Sequence, residues 1–325
     1  MSMILNRIKA LFNPSLYHGW GRSSKFFEGW YYKVVSNDQK HAFAFIPGIA
    51  MDEKGKKQSF IQVLDGKKFT SKYYKYKFID FKSNSNKHNI VISKNIFLKD
   101  SIELDLSNIS GKLFFKNLSP WSNSIFSPGI MGPYSFVPFM ECYHGILSMN
   151  HTIEGKLIVN NKVVDFSQGK GYIEKDWGHS FPEAYIWMQC NNFNDSSVSI
   201  KASVAKIPWL GSSFIGFIAG VLIEGVLIEF TTYNFSKLIK CSVNNKTVQL
   251  NLENPSYVLQ IILHRKKPTE LVAPISGFMD ARIEECMDGK MEVLLKKKKS
   301  NEIIYNNSGT TAALEVAGLY ENLLK

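Results

Sequence analysis

The sequence predicts an all-β protein built from two antiparallel β-barrels or sandwiches with few short helices. Three observations carry this. Short β-rich segments separated by polar turns follow one another along most of the chain. The length of 325 residues corresponds to about two domains at roughly 100–200 residues each, or to one large all-β unit. Helical patterning is confined to the ends, at the N-terminal arm and after Thr311.

The elements follow in order. Ile4, Ile8, Leu11 and Phe12 recur at near-helical spacing with Arg7 and Lys9 between them, which predicts a short amphipathic arm over residues 1–14. It is either a cap packed on the domain or a membrane foot. Strands are expected over 41–46, 59–64, 73–81, 90–98 and 102–106, with a polar turn at 84–89. The stretch 119–138 holds four prolines and cannot be a central strand. It is a lid or a packed Ω-loop. A meander over 151–166 is expected to turn at Glu154-Gly155 and Asn160-Asn161. Gly178 and Pro182 mark the break between a first barrel over 15–180 and a second over 181–325. The uncharged stretch from 207 to 223 contains Pro208, Gly211, Gly216 and Gly220, and reads as buried strands and a turn. Asp288-Gly289 is a further hairpin signal, and the tail after Thr311 reads as helix.

Aromatic residues make up 13% of the chain and the net charge is +11. A positive surface attracts nucleic acid, anionic membrane or anionic substrates. The lysines are scattered, however, and no RNA-recognition signature, helix-turn-helix or zinc finger accompanies them, so no nucleic-acid partner is expected. The four cysteines are widely spaced without a CxxC pair, which predicts reduced thiols. The N-terminus lacks a signal peptide's apolar run. The expected location is cytoplasmic, with peripheral contact to an anionic membrane.

Three segments concentrate aromatic and ionisable residues. In 26–33, FFEGWYYK, strand alternation puts Glu28, Trp30 and Tyr32 on one face. Glu28 is then either a desolvated acid with a raised pKa or a carboxylate satisfied by a partner such as Arg22. In 169–191, Tyr172, Glu174 and Asp176 share a face, with Trp177, His179 and Glu183 close in sequence. The strand after the turn puts Tyr185, Trp187, Gln189 and Asn191 on one face. So many ionisable groups in aromatic context point to a polar spot in an apolar cavity. In 140–150, Cys142 and His144 share a face, and Glu141 or His144 could join a site from a neighbouring strand. No nucleophile elbow, P-loop or dinucleotide fingerprint is present. The spacing matches no HExxH motif or facial triad, so neither metal nor cofactor is expected.

The runs FFEGWYYK from Phe26, MECYHGILSMNHTIEG from Met140, GKGYIEKDWGHSFPEAYIWMQCNNF from Gly169 and TAALEV from Thr311 together resemble the tocopherol cyclase-like family. GYIEKDWGHSFP is the specific run. The resemblance implies two lipocalin-like barrels and relatives that hydrate or cyclise isoprenoid double bonds. The implied activity is closure of a prenylated hydroquinone to a chromanol. Such chemistry needs a general acid in a dry pocket, aromatic faces for a tertiary cation and a greasy tunnel for the prenyl tail. Residue chemistry makes Asp176 the first choice of acid, with His179 orienting it or relaying the proton. Glu28 and Glu174 are the alternates. Trp30, Tyr32, Trp177, Tyr185, Trp187 and Gln189 are the candidates for ligand contact. The expected partner is a prenyl quinol or other isoprenoid. Two alternatives stand beside the cyclase: a non-catalytic lipocalin-like carrier of a hydrophobic lipid, and an isoprenoid hydratase.

Overall fold

Alternating apolar and polar residues leave most segments no option but a half-buried strand. The computed structural model, which describes residues 2–324, bears this out with two antiparallel sheets. The Ser2–Phe12 helix is accompanied only by short three-ten turns among the described residues. Contacts divide the chain into two units. The first runs from the N-terminus to Phe181 and also takes Val272–Arg282; the second holds Pro182–Leu271 and Ile283–Lys325. A division by sequence order misses the 272–282 excursion. That segment is held in the first unit by hydrogen bonds from Val272 N–H to Gln62 Oε1 (2.9 Å) and from Met51 N–H to the Gly277 carbonyl (2.9 Å).

In the first unit, the Phe26–Val35 strand lies between Ala42–Met51 and Gly169–Gly178. The Gly169–Gly178 strand pairs on its other edge with Cys142–Val159. Three segments distant in sequence thus become neighbours. The sheet wraps around one apolar core. Tyr32 reaches Phe97 at 5.5 Å between ring centroids, although their strands are five places apart in the sheet. Trp30, Phe45, Phe97 and Phe166 are fully buried there, each contributing about 1.5–3 kcal/mol by burial. The second unit has its own core, from Ile186 and Met188 to Val293 and Leu314.

Asn160 and Asn161 both take positive φ and form the expected tight turn, which asparagine tolerates. The uncharged stretch 207–223 is a hairpin, from Ser199–Trp209 into Ser212–Ile223. Five local expectations are corrected. The 73–81 strand ends at Lys77 and passes into a short three-ten turn, Phe78–Asp80, and the 90–98 segment is a hairpin of Asn89–Ile92 and Asn95–Leu98. Glu154-Gly155 lies inside the continuous Cys142–Val159 strand, where Gly155 sits against the Lys112 carbonyl at φ 120°. Asp288-Gly289 is a register irregularity within Phe278–Lys297, not a hairpin. The tail from Thr311 is strand, not helix: Ile303–Gly318 is paired on both edges, by Ala184–Cys190 and Phe278–Lys297. Sheet pairing on both sides overrides the helical preference of Ala, Leu and Glu. The proline-rich loop packs through Trp121, Ile130 and Met131, while Ile125 and Phe126 protrude. All four cysteines are free thiols.

Candidate active site

Along Gly169–Gly178, Tyr172, Glu174 and Asp176 point to one side of the sheet and Ile173, Lys175 and Trp177 to the other. Register adds the neighbours. Asp176 lies opposite His144 on one edge and Gly29 on the other, and Glu174 lies opposite Ile146 and Tyr31. The two faces carry different chemistry.

On the first face, His144 Nδ1 is 2.7 Å from Asp176 Oδ1, and its Nε2 is 3.4 Å from Glu174 Oε2. The Tyr172 hydroxyl donates to Glu174. These groups line up as Tyr172–Glu174–His144–Asp176, hydrogen-bonded at both ends and joined between Glu174 and His144 Nε2 by an ion-pair contact rather than a hydrogen bond. Glu174 is 5% exposed and Asp176 25%, so the row opens outward at Asp176. Burial, reinforced by Glu174, keeps the Tyr172 hydroxyl protonated well above its ordinary range. Burial likewise raises the Cys142 thiol, with Asp176 beside it, so it remains a thiol rather than a nucleophile. Ligand atoms of His144, Glu174 and Asp176 lie within 4.8 Å of one another and offer the donor types of a divalent-metal site. Both ring nitrogens of His144 already face carboxylates, so a cation would have to displace at least one of these contacts.

His179 follows Gly178, where the chain bends away. Its burial lowers the imidazole pKa. It is placed by its backbone: N–H donates to the Glu141 carbonyl at 2.9 Å, and its own carbonyl accepts from Gly277. The imidazole beside Asp176 is therefore His144, not His179 as expected. The bend depends on Gly178, which has φ 153° and no room for a Cβ against the Glu141 carbonyl oxygen. Gly178→Ala is expected to cost about 1–3 kcal/mol through overpacking, read as a lower midpoint in urea denaturation.

The second face belongs to the core, and it decides between the two readings of Glu28 in favour of a carboxylate satisfied by partners, which are Lys175 and backbone N–H groups rather than Arg22. Glu28 is fully buried in an ion pair with Lys175. It also accepts from the backbone N–H of His18 at 2.8 Å and of Gly19 at 3.2 Å. Burial works to raise this carboxyl, but Lys175 and the His18 bonds together hold it below the usual range. Glu28 is a structural anion and has no proton to lend. Trp30 and Trp177 place their rings 5.0 and 4.8 Å from the Lys175 ammonium. Trp177 also stacks on His18 at 3.9 Å. The Tyr32 hydroxyl meets His88 Nε2 at 2.5 Å and donates to the Leu98 carbonyl at 3.1 Å. Trp30, Tyr32 and Trp177 thus serve the core side of the sheet and not the Asp176 side. On the Asp176 face, which also carries Tyr172, the adjacent Phe26–Val35 strand contributes Tyr31 and Phe27, and Phe27 meets Phe181 edge-on at 5.5 Å.

In the second unit, Tyr185, Trp187 and Gln189 are buried on the side of Ala184–Cys190 away from the apolar core. The Tyr185 hydroxyl donates to Glu315 Oε2 at 2.8 Å. Register sets Glu315 opposite both Trp187 and Glu285, and Lys201 opposite Gln189. Lys201, Glu285, Glu315 and Lys175 escaped the sequence reading. Composition does not single them out: Lys175 shares its strand with Lys170, Glu174 and Asp176, and Glu285 lies among Asp280, Arg282, Glu284 and Asp288.

The profile of the tocopherol cyclase-like family matches residues 107–318, which span both units. The chain belongs to the tocopherol cyclase-like family. It is 28% identical over 200 residues to a tocopherol cyclase, chloroplastic, of Zea mays, and 26% identical over 193 residues to a probable tocopherol cyclase, chloroplastic, of Oryza sativa subsp. japonica. Each match covers 56% of this chain and 40% of the relative. The fold of this tocopherol cyclase-like chain is also similar to that of CghA with Sch210972, with TM-score 0.57, 9% identity and coverage of 90% of this chain and 88% of the other. It resembles kievitone hydratase from Nectria haematococca at TM-score 0.52 and 10% identity, covering 91% and 90%. At these identities the likeness speaks to the two-barrel, lipocalin-like fold alone.

Proposed function

We propose that the protein is an acid–base enzyme that protonates an isoprenoid double bond and closes a prenylated hydroquinone to a chromanol. The observation that carries this reading is the bridge from Asp176 through His144 to Glu174, backed by Tyr172, in a chain of the tocopherol cyclase-like family. Asp176 is the outward end and delivers a proton to the less substituted alkene carbon. The π electrons form the new C–H bond and leave a tertiary cation. The phenol oxygen attacks that carbon, and its proton passes back to the Asp176 carboxylate through His144. The cycle is an isomerisation in which every proton is returned. Tyr31 and Phe27 lie on the same sheet face and can steady the cation, at about 0.5–2 kcal/mol per ring. Binding comes mainly from the prenyl tail, at about 0.8 kcal/mol per buried CH₂.

Incubation of the purified protein with a prenylated hydroquinone, followed by chromatography that separates equal-mass isomers, tests the proposal. The expected product is the chromanol. A product heavier by one water indicates a hydratase, and binding without conversion indicates a carrier. Activity should persist in EDTA. Loss in EDTA with recovery on adding a divalent ion would turn His144, Glu174 and Asp176 from a proton relay into metal ligands.

A further inference from the structure

The Ser2–Phe12 helix packs the wrong way round for a simple cap. At about 100° per residue, Ile4, Leu5, Ile8 and Phe12 fall on one side and Asn6 and Ala10 on the other. Ala10 is buried, whereas Ile4, Leu5, Ile8 and Phe12 are all exposed. The apolar stripe therefore faces away from the domain. It continues into the proline-rich loop. Phe12 meets Phe136 edge-on at 5.9 Å, and the Phe12 carbonyl accepts from Asn123 Nδ2 at 3.1 Å. From that same loop Ile125 and Phe126 protrude, Phe126 at 85% exposure.

The charge pattern says what covers this patch. The helix and residues 119–140 contain no Asp or Glu, and Arg7 and Lys9 are their only charged side chains. On the helix these two flank the apolar stripe. Their hydrogen-bond partners are neutral: Arg7 Nε donates to the Trp20 carbonyl and Lys9 Nζ to Asn86 Oδ1, each at 2.7 Å. An apolar strip edged by cations without acids complements an anionic lipid surface. It suits a second copy poorly, because two such faces would bring like charges together. An 11-residue helix is about 16 Å long against a hydrocarbon core of about 30 Å. Among the described residues, no helix is long and apolar enough to cross a membrane.

We propose that Ser2–Phe12 and the tip of the 119–140 loop form a docking surface for an anionic lipid bilayer, with Ile4, Ile8, Phe12 and Phe126 entering the acyl boundary and Arg7 and Lys9 meeting headgroups. The helix is moored through His18, whose Nε2 lies 3.0 Å from the Ala10 carbonyl and whose backbone N–H donates to Glu28 of the Phe26–Val35 strand. The surface stands independently of the catalytic reading.

Flotation of the full chain with vesicles tests it. One set is phosphatidylcholine alone; the other is an equal mixture of phosphatidylcholine and phosphatidylglycerol. Wild type should float with the mixed vesicles, weakly with the neutral ones, and less well as salt is raised. Ile8→Asp and Phe126→Asp should each reduce binding by about tenfold or more, without changing the thermal midpoint. Asp176→Asn should float like wild type, so loss of the catalytic reading leaves this result standing. Failure of wild type to float with mixed vesicles would overturn the proposal. So would wild-type flotation of both Asp variants. A dimer in gel filtration that Ile8→Asp splits, with vesicle binding unchanged, would reassign the patch to self-association.

Discussion

Asp176→Asn is expected to lower kcat for cyclisation by about 10²–10⁴-fold, the usual worth of a positioned general acid. Asn keeps the shape of the side chain and can still bond His144, but it has no acidic proton to give to an alkene. The side chain is 25% exposed, so the thermal midpoint should stay near that of wild type. KM should change little, since the prenyl tail supplies the binding. Asp176→Ala should recover part of its rate when a small carboxylic acid such as formic acid is supplied, which a purely structural role would not produce. His144→Gln should retain more activity than Asp176→Asn, because it cuts resupply of the proton rather than its delivery. Full activity in Asp176→Asn would move the acid to Glu174.

Period-two alternation was enough to put Tyr172, Glu174 and Asp176 on one face, because a strand admits no other arrangement. It also put His144 beside Cys142 as a residue able to join a site. Alternation says nothing about which strand lies next to which. The pairing of Phe26–Val35 with Gly169–Gly178 spans about half of the chain, and it alone reveals that Glu28 meets Lys175. Without that partner, a Glu on one strand face with Trp30 and Tyr32 reads equally as a raised-pKa acid or as a satisfied carboxylate; with it, the second reading stands and the carboxyl is held low. The choice between His179 and His144 failed for the same reason. His179 is near Asp176 in sequence, but Gly178 turns the chain before it, while His144 lies directly across the ladder. Local turn chemistry was reliable at Asn160-Asn161, where two asparagines take positive φ. It misled at Glu154-Gly155 and Asp288-Gly289, where glycine serves close backbone approach or a bulge inside a long strand.

Lys175→Met is expected to destabilise the fold by about 3–5 kcal/mol, the cost of leaving a buried charge without its partner. Lys175 is wholly buried, and its ammonium serves Glu28, the Leu16 carbonyl at 2.6 Å and the faces of two tryptophans. The double variant with Glu28→Gln should be less damaged than the single one. Gln removes the orphaned charge yet can still accept from the His18 and Gly19 N–H groups. The pH dependence supplies an independent check. In wild type the folded Glu28 carboxyl titrates below its ordinary value of 4.5. Its stabilisation is thus complete above that value and is lost as pH falls through the folded pKa. His18 works over a higher window. Burial, helped by Lys175, lowers it from 6.5 to about 4, so the unfolded chain binds its proton first and stability declines as pH falls from 6.5 toward 4. Burial lowers His88 to about 4 and His151 to about 3, which adds to the same loss. Wild type should therefore melt at progressively lower temperature below about pH 6.5. In Lys175→Met, Glu28 lacks its cation, and burial raises its folded pKa above the unfolded value. Its contribution changes sign, so mild acid relieves part of the damage, and the melting temperature should fall less steeply between pH 6.5 and 4 than in wild type. An acid profile parallel to that of wild type would show that Lys175 does not hold Glu28 in its charged form.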